Sequence, residues 1–168
     1  MYEIMEYTNH TVYIALGTNL GEREENLKSA LSSLPPTIQI TRVSSIYETV
    51  PWGVLDQPDF LNQVLIGQTK LEPLDLLSFL KELESKLGRV PGNRYGPRMI
   101  DMDILFYDEL ILEIDELIIP HPRIEERAFV LVPLAELATD LIHPRSGNSI
   151  QVLMDNVRVS GVKRYNRD

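Results

Sequence analysis

The sequence predicts an α+β fold of the ferredoxin-like type, a βαββαβ core whose antiparallel sheet is flanked by helices. Strand and helix patterns follow one another in that order across residues 11–106. The two middle strand patterns, at 40–49 and 61–70, have no helix between them, whereas a doubly wound sheet would need regular alternation. We therefore expect two helices packed on one face of an antiparallel sheet.

The first strand and helix are joined by a glycine-containing turn. TVYIAL at 11–16 is an apolar run that predicts a strand, and GTNLGERE leads into a predicted helix at about 22–33. This unit lacks the glycine spacing of the known phosphate-binding and dinucleotide-binding loops. We favour a tight turn in which Asn19 adopts an unusual backbone conformation. Pro35-Pro36 is expected to end the helix.

The second half of the core repeats the pairing of strands with a helix. Strand patterns at 40–49 and 61–70 flank the loop at 50–60, which is either a packed surface loop or a binding loop. The two strands are candidates to pair with each other. Leucines at spacings of three and four predict a helix at 73–87, with proline at its start and glycine after its end.

The remaining third of the chain predicts short elements that complete one domain. They are a strand at 110–112, a helix near 127–138 and a short helix near 149–155. Pro133 is tolerated in the second of them if it lies in the first turn. No repeat or linker divides the sequence. We expect a single domain over residues 1–168, with an extension at 1–10, a core at about 11–145 and a tail after about 156.

Composition favours a globular protein with small-molecule partners. A chain of 168 residues with 43% apolar and 24% charged residues buries roughly two-thirds of its unfolded surface. The net charge of −9 argues against nucleic acid, and no apolar run approaches the roughly 20 residues of a membrane span. Cysteine is absent, which excludes disulfides and thiolate sites. The N-terminus lacks signal-peptide features, so we expect a cytoplasmic protein. We also expect a monomer.

The candidate chemistry is concentrated in GRVPGNRYGPRMIDMDILF at 88–106. Asp101 and Asp103 stand two residues apart, so on a strand both carboxylates project from one face while the apolar residues between them face the core. Facing carboxylates repel each other unless a cation lies between them. Mg²⁺ is the usual partner, because it prefers carboxylate oxygens, waters and substrate phosphates.

Three arginines lie just upstream, in a loop broken by glycine and proline: Arg89, Arg94 and Arg98. Arginine binds phosphate oxygens bidentately, so the loop and the two aspartates together provide the parts that phosphoryl transfer needs. The alternative is a solvent-facing acidic pair with surface ion pairs. We favour the functional interpretation because the flanking apolar run is too continuous for an exposed edge strand. The aspartates are then expected in a largely buried sheet, where unpaired charge is costly.

Several motifs in one order carry a resemblance to a known family. GRVPGNRYGPRMIDMDIL, SSIYETVPWGVLDQPDFLNQV and IPHPRIEERAFVLVPL resemble the 6-hydroxymethyl-7,8-dihydropterin pyrophosphokinase family of folate synthesis, from about Tyr13 to Pro144. The resemblance implies a ferredoxin-like fold and ATP as co-substrate with two Mg²⁺ ions. It also implies transfer of a pyrophosphoryl group to the hydroxymethyl oxygen of the pterin, with release of AMP.

The resemblance also implies roles for single residues. Both metal ions would be held by Asp101 and Asp103, while Arg89 and Arg98 would neutralise charge in the transition state. The residues implied to bind ATP are Glu84, Arg89, Arg94, Arg98, His121 and Arg127. The residues implied to bind the pterin are Thr49, Val50, Trp52, Phe60, Asn62, Tyr95 and Phe129. The residues alone leave an alternative for two of these positions: Phe129 as a plain core residue and His121 as a turn residue.

Four positions depart from the family pattern. Tyr95 stands where tryptophan is common, Pro91 takes a place that is often basic, Pro122 replaces a common aromatic, and Phe60 replaces a common tyrosine. None of them touches the predicted metal ligands, so we expect altered affinities with activity retained. Two other functions fit the same residues: a metal-dependent phosphohydrolase that uses water, and a non-catalytic ferredoxin-like module that binds nucleotide. No residue stands out as the general base.

Overall fold

A computed structural model describes residues 8–51, 53, 55–88 and 97–166 of the chain. The strands of this part are β1 (His10–Thr18), β2 (Ile38–Val43), β3 (Tyr47–Thr49), β4 (Phe60–Thr69), β5 (Asp101–Tyr107), β6 (Leu112–Ile114), β7 (Leu117–Ile119) and β8 (Val162–Arg164). Its helices are α1 (Arg23–Ser33), α2 (Pro73–Lys86), α3 (Ala128–Ala138) and α4 (Ile150–Asp155), with a 3-10 turn at Ile124–Glu126.

The main sheet has the strand order of a ferredoxin-like core. Its strands run β5-β1-β4-β3-β8, and β2 pairs with β4 beside β3; all of these pairs are antiparallel. The predicted strand at 40–49 is therefore two strands, separated at Ser44, whose N–H donates to the carbonyl of Val64 at 2.9 Å. Both halves pair with β4, as predicted. The sheet and its flanking helices confirm the predicted fold class.

Helices cover both faces of the sheet. The helices α1 and α2 pack on one face, where Leu27 and Leu80 join Ile14 of β1 in a fully buried cluster. The helices α3 and α4 cover the other face, where Leu134 and Leu153 are part of a second buried cluster. Each such leucine contributes roughly 1.5–3 kcal/mol by leaving water. Within the described residues, no helix has the length and apolarity to cross a membrane.

The strand that carries the two aspartates lies at the edge of the sheet, which the sequence did not predict, but it is largely buried, as expected: only Asp101 and Asp103 of its seven residues are partly exposed. Its apolar run has a different cause, because helices cover both of its faces: Met102 and Ile104 belong to the cluster under α1 and α2. A register shift in the β1–β5 ladder lets the consecutive Leu105 and Phe106 both join the opposite cluster. An edge strand that is covered on both faces therefore has the apolar sequence pattern of an interior strand.

α3 contains a proline beyond its first turn. Pro133 is the sixth residue of Ala128–Ala138, so the condition under which we expected it to be tolerated is not met. Proline there removes the hydrogen bond to the carbonyl of Phe129 and costs about 3 kcal/mol in an isolated helix. Pro133 is itself buried, as are Val130, Leu131 and Leu134 around it. Apolar burial along the helix therefore offsets the lost bond.

The segment after residue 156, predicted as a tail, contains β8. This strand pairs with β3, and the N–H of Tyr165 continues the ladder by donating to the carbonyl of Ile46 at 2.9 Å. Three residues, two of them cationic, carry no alternating pattern that would mark a strand. The predicted short strand at 110–112 is also displaced, since the chain forms the β6–β7 hairpin there.

Glu136 of α3 ties the helix to the β3 side of the sheet. Its carboxylate accepts hydrogen bonds from the Ser45 N–H at 3.1 Å, the Ser45 hydroxyl at 2.8 Å and the Tyr47 hydroxyl at 2.9 Å. Partial burial acts to raise the pKa of Glu136, but the bonds from Ser45 and Tyr47 outweigh it and hold the pKa below 4.5. The carboxylate form is therefore favoured in the folded state.

We expect Glu136→Gln to lower the free energy of unfolding at pH 7 and to lose this effect in acid. A depressed folded pKa contributes stability above the unfolded value of 4.5, and this contribution is lost as pH falls through the folded pKa. Urea unfolding of both proteins at pH 7 and at several values below 4.5 measures the difference. Glu82→Gln, in an exposed pair with Lys86, is the control. A difference that does not change with pH would contradict the prediction.

Candidate active site

A cavity of about 300 Å³ opens where β1, β4 and β5 approach the segment that leads into α3. Ten of the residues predicted from the sequence line it: Thr49, Val50, Phe60, Asn62, Arg98, Asp101, Asp103, His121, Arg127 and Phe129. They come from five separate stretches of the chain. The fold thus brings together the predicted metal ligands, phosphate ligands and pterin contacts.

Five other predicted site residues remain. Four of them lie outside the described residues: Trp52, Arg89, Arg94 and Tyr95. The fifth, Glu84, does not line the cavity. Glu84 lies on the buried face of α2, where its Oε1 accepts the Met102 N–H of the edge strand at 2.8 Å and its Oε2 lies 3.3 Å from the Lys81 ammonium. These contacts cover part of the free edge of β5. The predicted nucleotide contact of Glu84 stays a prediction.

The two aspartates project from the same face of β5, each with an arginine beside it. Their side chains are 32% and 41% exposed. The Arg98 Nε lies 3.6 Å from Asp101 Oδ1, and Asp103 Oδ2 lies 3.9 Å from Arg127 Nη1 and 4.0 Å from His121 Nε2. The cations offset the repulsion between the two carboxylates, whose oxygens reach the cavity from a rigid strand.

His121 presents a neutral ring to the cavity. Its Nδ1 accepts the Arg123 N–H at 3.1 Å, so the proton of the neutral ring is on Nε2, the nitrogen that faces Asp103. Burial lowers the pKa of His121, Asp103 acts to raise it, and Arg127 and Arg123 lower it further. The ring is therefore a neutral hydrogen-bond donor at pH 7. It lies at a turn and also lines the cavity, and its predicted contact with the triphosphate stays a prediction.

Three arginines line the same cavity as the two aspartates, although the whole chain carries a net charge of −9. The electrostatic potential in the cavity is therefore opposite in sign to that of the protein as a whole, and it suits a polyanion. Two of them, Arg98 and Arg127, are in the predicted set. Arg123 is not, although it stands two residues after His121 in the motif IPHPRIEER. That proximity is the sequence signal that could have identified it.

Asn19 joins the two loops on either side of the cavity. Its side-chain nitrogen donates to Gln57 Oε1 at 3.0 Å and to the Pro58 carbonyl at 2.9 Å, while its Oδ1 accepts the Arg98 N–H at 2.7 Å. The Asn19 N–H also donates to the Arg98 carbonyl at 2.9 Å. The predicted unusual backbone conformation of Asn19 is wrong, because the positive φ in this turn, 64°, belongs to Gly21. Asn19 is 1% exposed, so its role is to bind the loops together.

One part of the cavity lining, which we call the aromatic-amide end, combines a buried amide with two aromatic rings. Asn62 is buried, and its Nδ2 donates to the Thr49 hydroxyl at 2.8 Å, which fixes the amide orientation. Phe60 and Phe129 also line the cavity, and Arg127 Cζ lies 5.5 Å from the centre of the Phe129 ring. Phe129 also packs against the core, and its predicted contact with the pterin stays a prediction. A flat heterocycle with donor groups on one edge fits such an arrangement.

A second depression of about 290 Å³ adjoins the cavity on the other side of the β5 edge. Leu77, Ile104 and Leu117 provide its apolar wall, and Lys81 and Asp115 lie at its border. It shares Asp103, His121 and Pro122 with the cavity. Asp103 and His121 thus stand between two neighbouring cavities of similar volume.

The sequence profile of the 7,8-dihydro-6-hydroxymethylpterin-pyrophosphokinase (HPPK) family matches residues 13–139. The chain belongs to this family. An HPPK relative from Bacillus subtilis, named 2-amino-4-hydroxy-6-hydroxymethyldihydropteridine pyrophosphokinase, is 42% identical over 163 residues, which are 94% of this chain and 96% of the relative. The resemblance found in the motifs is thereby confirmed.

Longer HPPK relatives also match. The mitochondrial folate synthesis bifunctional protein of Arabidopsis thaliana is 51% identical over 134 residues, 79% of this chain but only 24% of the relative, so the chain spans about a quarter of that protein. The crystal structure of Plasmodium falciparum HPPK-DHPS A437G with SDX-DHP superimposes with a TM-score of 0.77 at 18% identity, over 96% of this chain and 50% of that one. At this identity the superposition supports the fold.

Proposed function

We propose that this protein transfers a pyrophosphoryl group from ATP to the hydroxymethyl oxygen of 6-hydroxymethyl-7,8-dihydropterin. The products are AMP and the pterin diphosphate of folate biosynthesis. The observation that carries the proposal is one cavity that joins two carboxylates on one strand face, three arginines and an aromatic-amide end. Membership of the HPPK family supports the reaction class.

The chemistry of the donor atoms suits magnesium. Asp101 and Asp103 offer hard oxygens, and Mg²⁺ binds proteins through one or two carboxylates together with substrate phosphates and waters. Among the described residues no cluster of three or more acidic, histidine or cysteine side chains forms a site by itself, so phosphate oxygens would complete the coordination. Two bound ions would polarise the transferred phosphorus and lower the pKa of the pterin hydroxyl.

The triphosphate is proposed to lie along the arginines and His121. Arg98, Arg123 and Arg127 neutralise its charge, and the neutral His121 donates from Nε2 to a phosphate oxygen. Arg98 is 7% exposed and its backbone is held by Asn19, so its guanidinium is preorganised beside Asp101. Such preorganised donors stabilise the charge that develops as the pyrophosphoryl group moves.

The adenosine is proposed to occupy the second depression. Its apolar wall suits a purine base, and the shared Asp103 and His121 bring the phosphates back toward the cavity. Lys81 borders this depression and pairs with Glu84 at 3.3 Å. The predicted role of Glu84 near the nucleotide is compatible with this position, through Lys81.

The pterin is proposed to bind at the aromatic-amide end. Thr49 accepts the Asn62 Nδ2 hydrogen bond, so Asn62 Oδ1 is available as an acceptor for the amino edge of the ring. Phe60 and Phe129 offer apolar ring faces to the flat heterocycle. The hydroxymethyl group then points toward Asp101 and Asp103, where the transferred phosphorus is expected.

The test is to incubate the protein with ATP, Mg²⁺ and 6-hydroxymethyl-7,8-dihydropterin and to separate the nucleotides by chromatography. AMP that forms only with the pterin present supports the proposal. ADP would indicate an ordinary kinase, and AMP with pyrophosphate in the absence of pterin would indicate a phosphohydrolase. ATP binding without Mg²⁺ and without turnover would favour the binding module. A cytoplasmic monomer remains a prediction, and the cited Arabidopsis relative is named as mitochondrial.

We expect Gly17→Ala to weaken pterin binding while ATP binding is unchanged. A Cβ at Gly17 would lie 3.3 Å from Asn62 Oδ1 and 3.9 Å from Phe60 Cδ1, so it presses on the atoms proposed to contact the ring. A displaced amide loses about one hydrogen bond, which raises the KM of the pterin roughly tenfold. Steady-state kinetics with each substrate varied in turn measure this. A KM change for ATP alone would contradict the assignment of this end to the pterin.

A further inference from the structure

The loop of residues 50–59 is flanked by two paired strand residues, which we call its neck and which form two walls of the cavity. Thr49 at the end of β3 is paired with Phe60 at the start of β4. Both residues line the cavity, as does Val50 on the loop itself. The position of the pterin contacts therefore depends on how firmly this neck is held.

Arg23 at the start of α1 spans the neck with one nitrogen. Its Nη1 donates to Glu48 Oε2 at 2.7 Å and to the Asp59 carbonyl at 2.9 Å. Glu48 directly precedes Thr49, and Asp59 directly precedes Phe60. The Arg23 and Glu48 side chains are 24% and 35% exposed, so this short pair is less screened by solvent than a fully exposed one.

The C-terminal segment of residues 162–165 contacts the residues that form and hold the neck. Arg23 Cζ lies 5.7 Å from the centre of the Tyr165 ring, within the range of a cation–π contact. In the β3–β8 ladder Val162 is paired with Thr49 and Lys163 with Glu48. The segment lies beyond residues 13–139, which the HPPK profile matches. This support is therefore provided by a part of the chain outside the residues that the family profile matches.

We propose that Arg23, backed by Tyr165, is a positioning residue that holds the Thr49 and Phe60 walls in the arrangement that binds the pterin. The inference rests on the proposed assignment of these walls to the pterin. Without Arg23 the neck loses two hydrogen bonds, and the binding-competent arrangement becomes a smaller fraction of the population. The apparent dissociation constant of the pterin rises by the inverse of that fraction.

Arg23 is absent from the residues lining the cavity and the second depression. The proposal therefore predicts a selective effect, since a purely structural ion pair would change stability and leave the two substrates equally affected. In Arg23→Ala we expect the KM of the pterin to rise about tenfold, which corresponds to a binding-competent fraction of about one-tenth. The KM of ATP and kcat at saturating pterin stay within about twofold of the wild type. Arg23→Lys should recover part of the loss, because an ammonium still donates to Glu48.

The experiment measures steady-state kinetics with each substrate varied, together with the thermal midpoint of each variant. Lys28→Ala is the matched control, because Lys28 is on the same helix in an exposed pair with Glu25 at 3.0 Å. Tyr165→Leu is an independent variant that removes the ring and leaves both Arg23 hydrogen bonds, so it keeps the test open if Arg23→Ala fails to fold. It should also raise the KM of the pterin selectively, by less than Arg23→Ala.

Asn62→Ala separates failure of this inference from failure of the proposed site. A raised pterin KM in Asn62→Ala with an unchanged one in Arg23→Ala and Tyr165→Leu would overturn the inference and leave the site intact. An unchanged pterin KM in all three would overturn the assignment of the pterin end. Equal increases in the KM of both substrates in Arg23→Ala, or a lowered thermal midpoint with unchanged kinetics, would assign the Arg23–Glu48 pair a purely structural role.

Discussion

Replacing either Asp101 or Asp103 by alanine is expected to reduce pyrophosphoryl transfer by roughly a thousandfold or more, the scale of losing a principal charge-stabilising group. Each variant removes half of the carboxylate oxygens proposed to hold magnesium. The fold is expected to survive, because the side chains are 32% and 41% exposed and removal of one carboxylate relieves repulsion with the other. AMP formation as a function of Mg²⁺ concentration measures the loss, and urea unfolding measures stability.

Asp140→Ala is the control for this pair, since Asp140 is exposed beyond the end of α3 and is not among the residues that line the cavity. It should retain wild-type activity. Turnover preserved in Asp101→Ala or Asp103→Ala would remove the two aspartates from the proposed metal site. Unfolding of both variants would instead support a structural role for the acidic pair on β5.

The shared face of Asp101 and Asp103 could be predicted from the sequence because it depends only on neighbouring residues. Alternation along a strand fixes that residues 101 and 103 share a face, whatever the rest of the fold does. The edge position of β5 could not be inferred in this way, because it depends on which strands pair. Helices on both of its faces give Met102 and Phe106 the burial of an interior strand.

The features that sequence reasoning missed depend on contacts between distant parts of the chain. Asn19 bonds to Gln57 and Arg98, which are 38 and 79 residues away, and nothing near Asn19 distinguishes it from an ordinary turn asparagine. β8 is three residues long and becomes a strand only because β3 offers an edge to it. Arg123 differs from these, since its motif is local and only its direction into the cavity needed the structure.

Arg98→Ala is expected to lower kcat about a hundredfold, the lower end of the loss seen when one preorganised transition-state donor is removed. The guanidinium lies 3.6 Å from Asp101, and the Arg98 backbone is held on both sides by Asn19. A group fixed in this way contributes most when charge develops, so the KM of ATP should change little. Arg98→Lys should lie between the wild type and alanine, because lysine keeps the charge and loses the planar fork.

Pre-steady-state and steady-state kinetics at saturating ATP and pterin separate these outcomes, with Arg158→Ala on the exposed surface as the control. A raised KM for ATP at unchanged kcat would assign Arg98 to ground-state binding of the triphosphate. Unchanged values of both would remove Arg98 from the reaction, and its burial would then serve only to join Asn19 to the start of β5. The hundredfold loss in kcat is expected because that same burial aligns the guanidinium before the substrates arrive, so little reorganisation is needed as the pyrophosphoryl group moves.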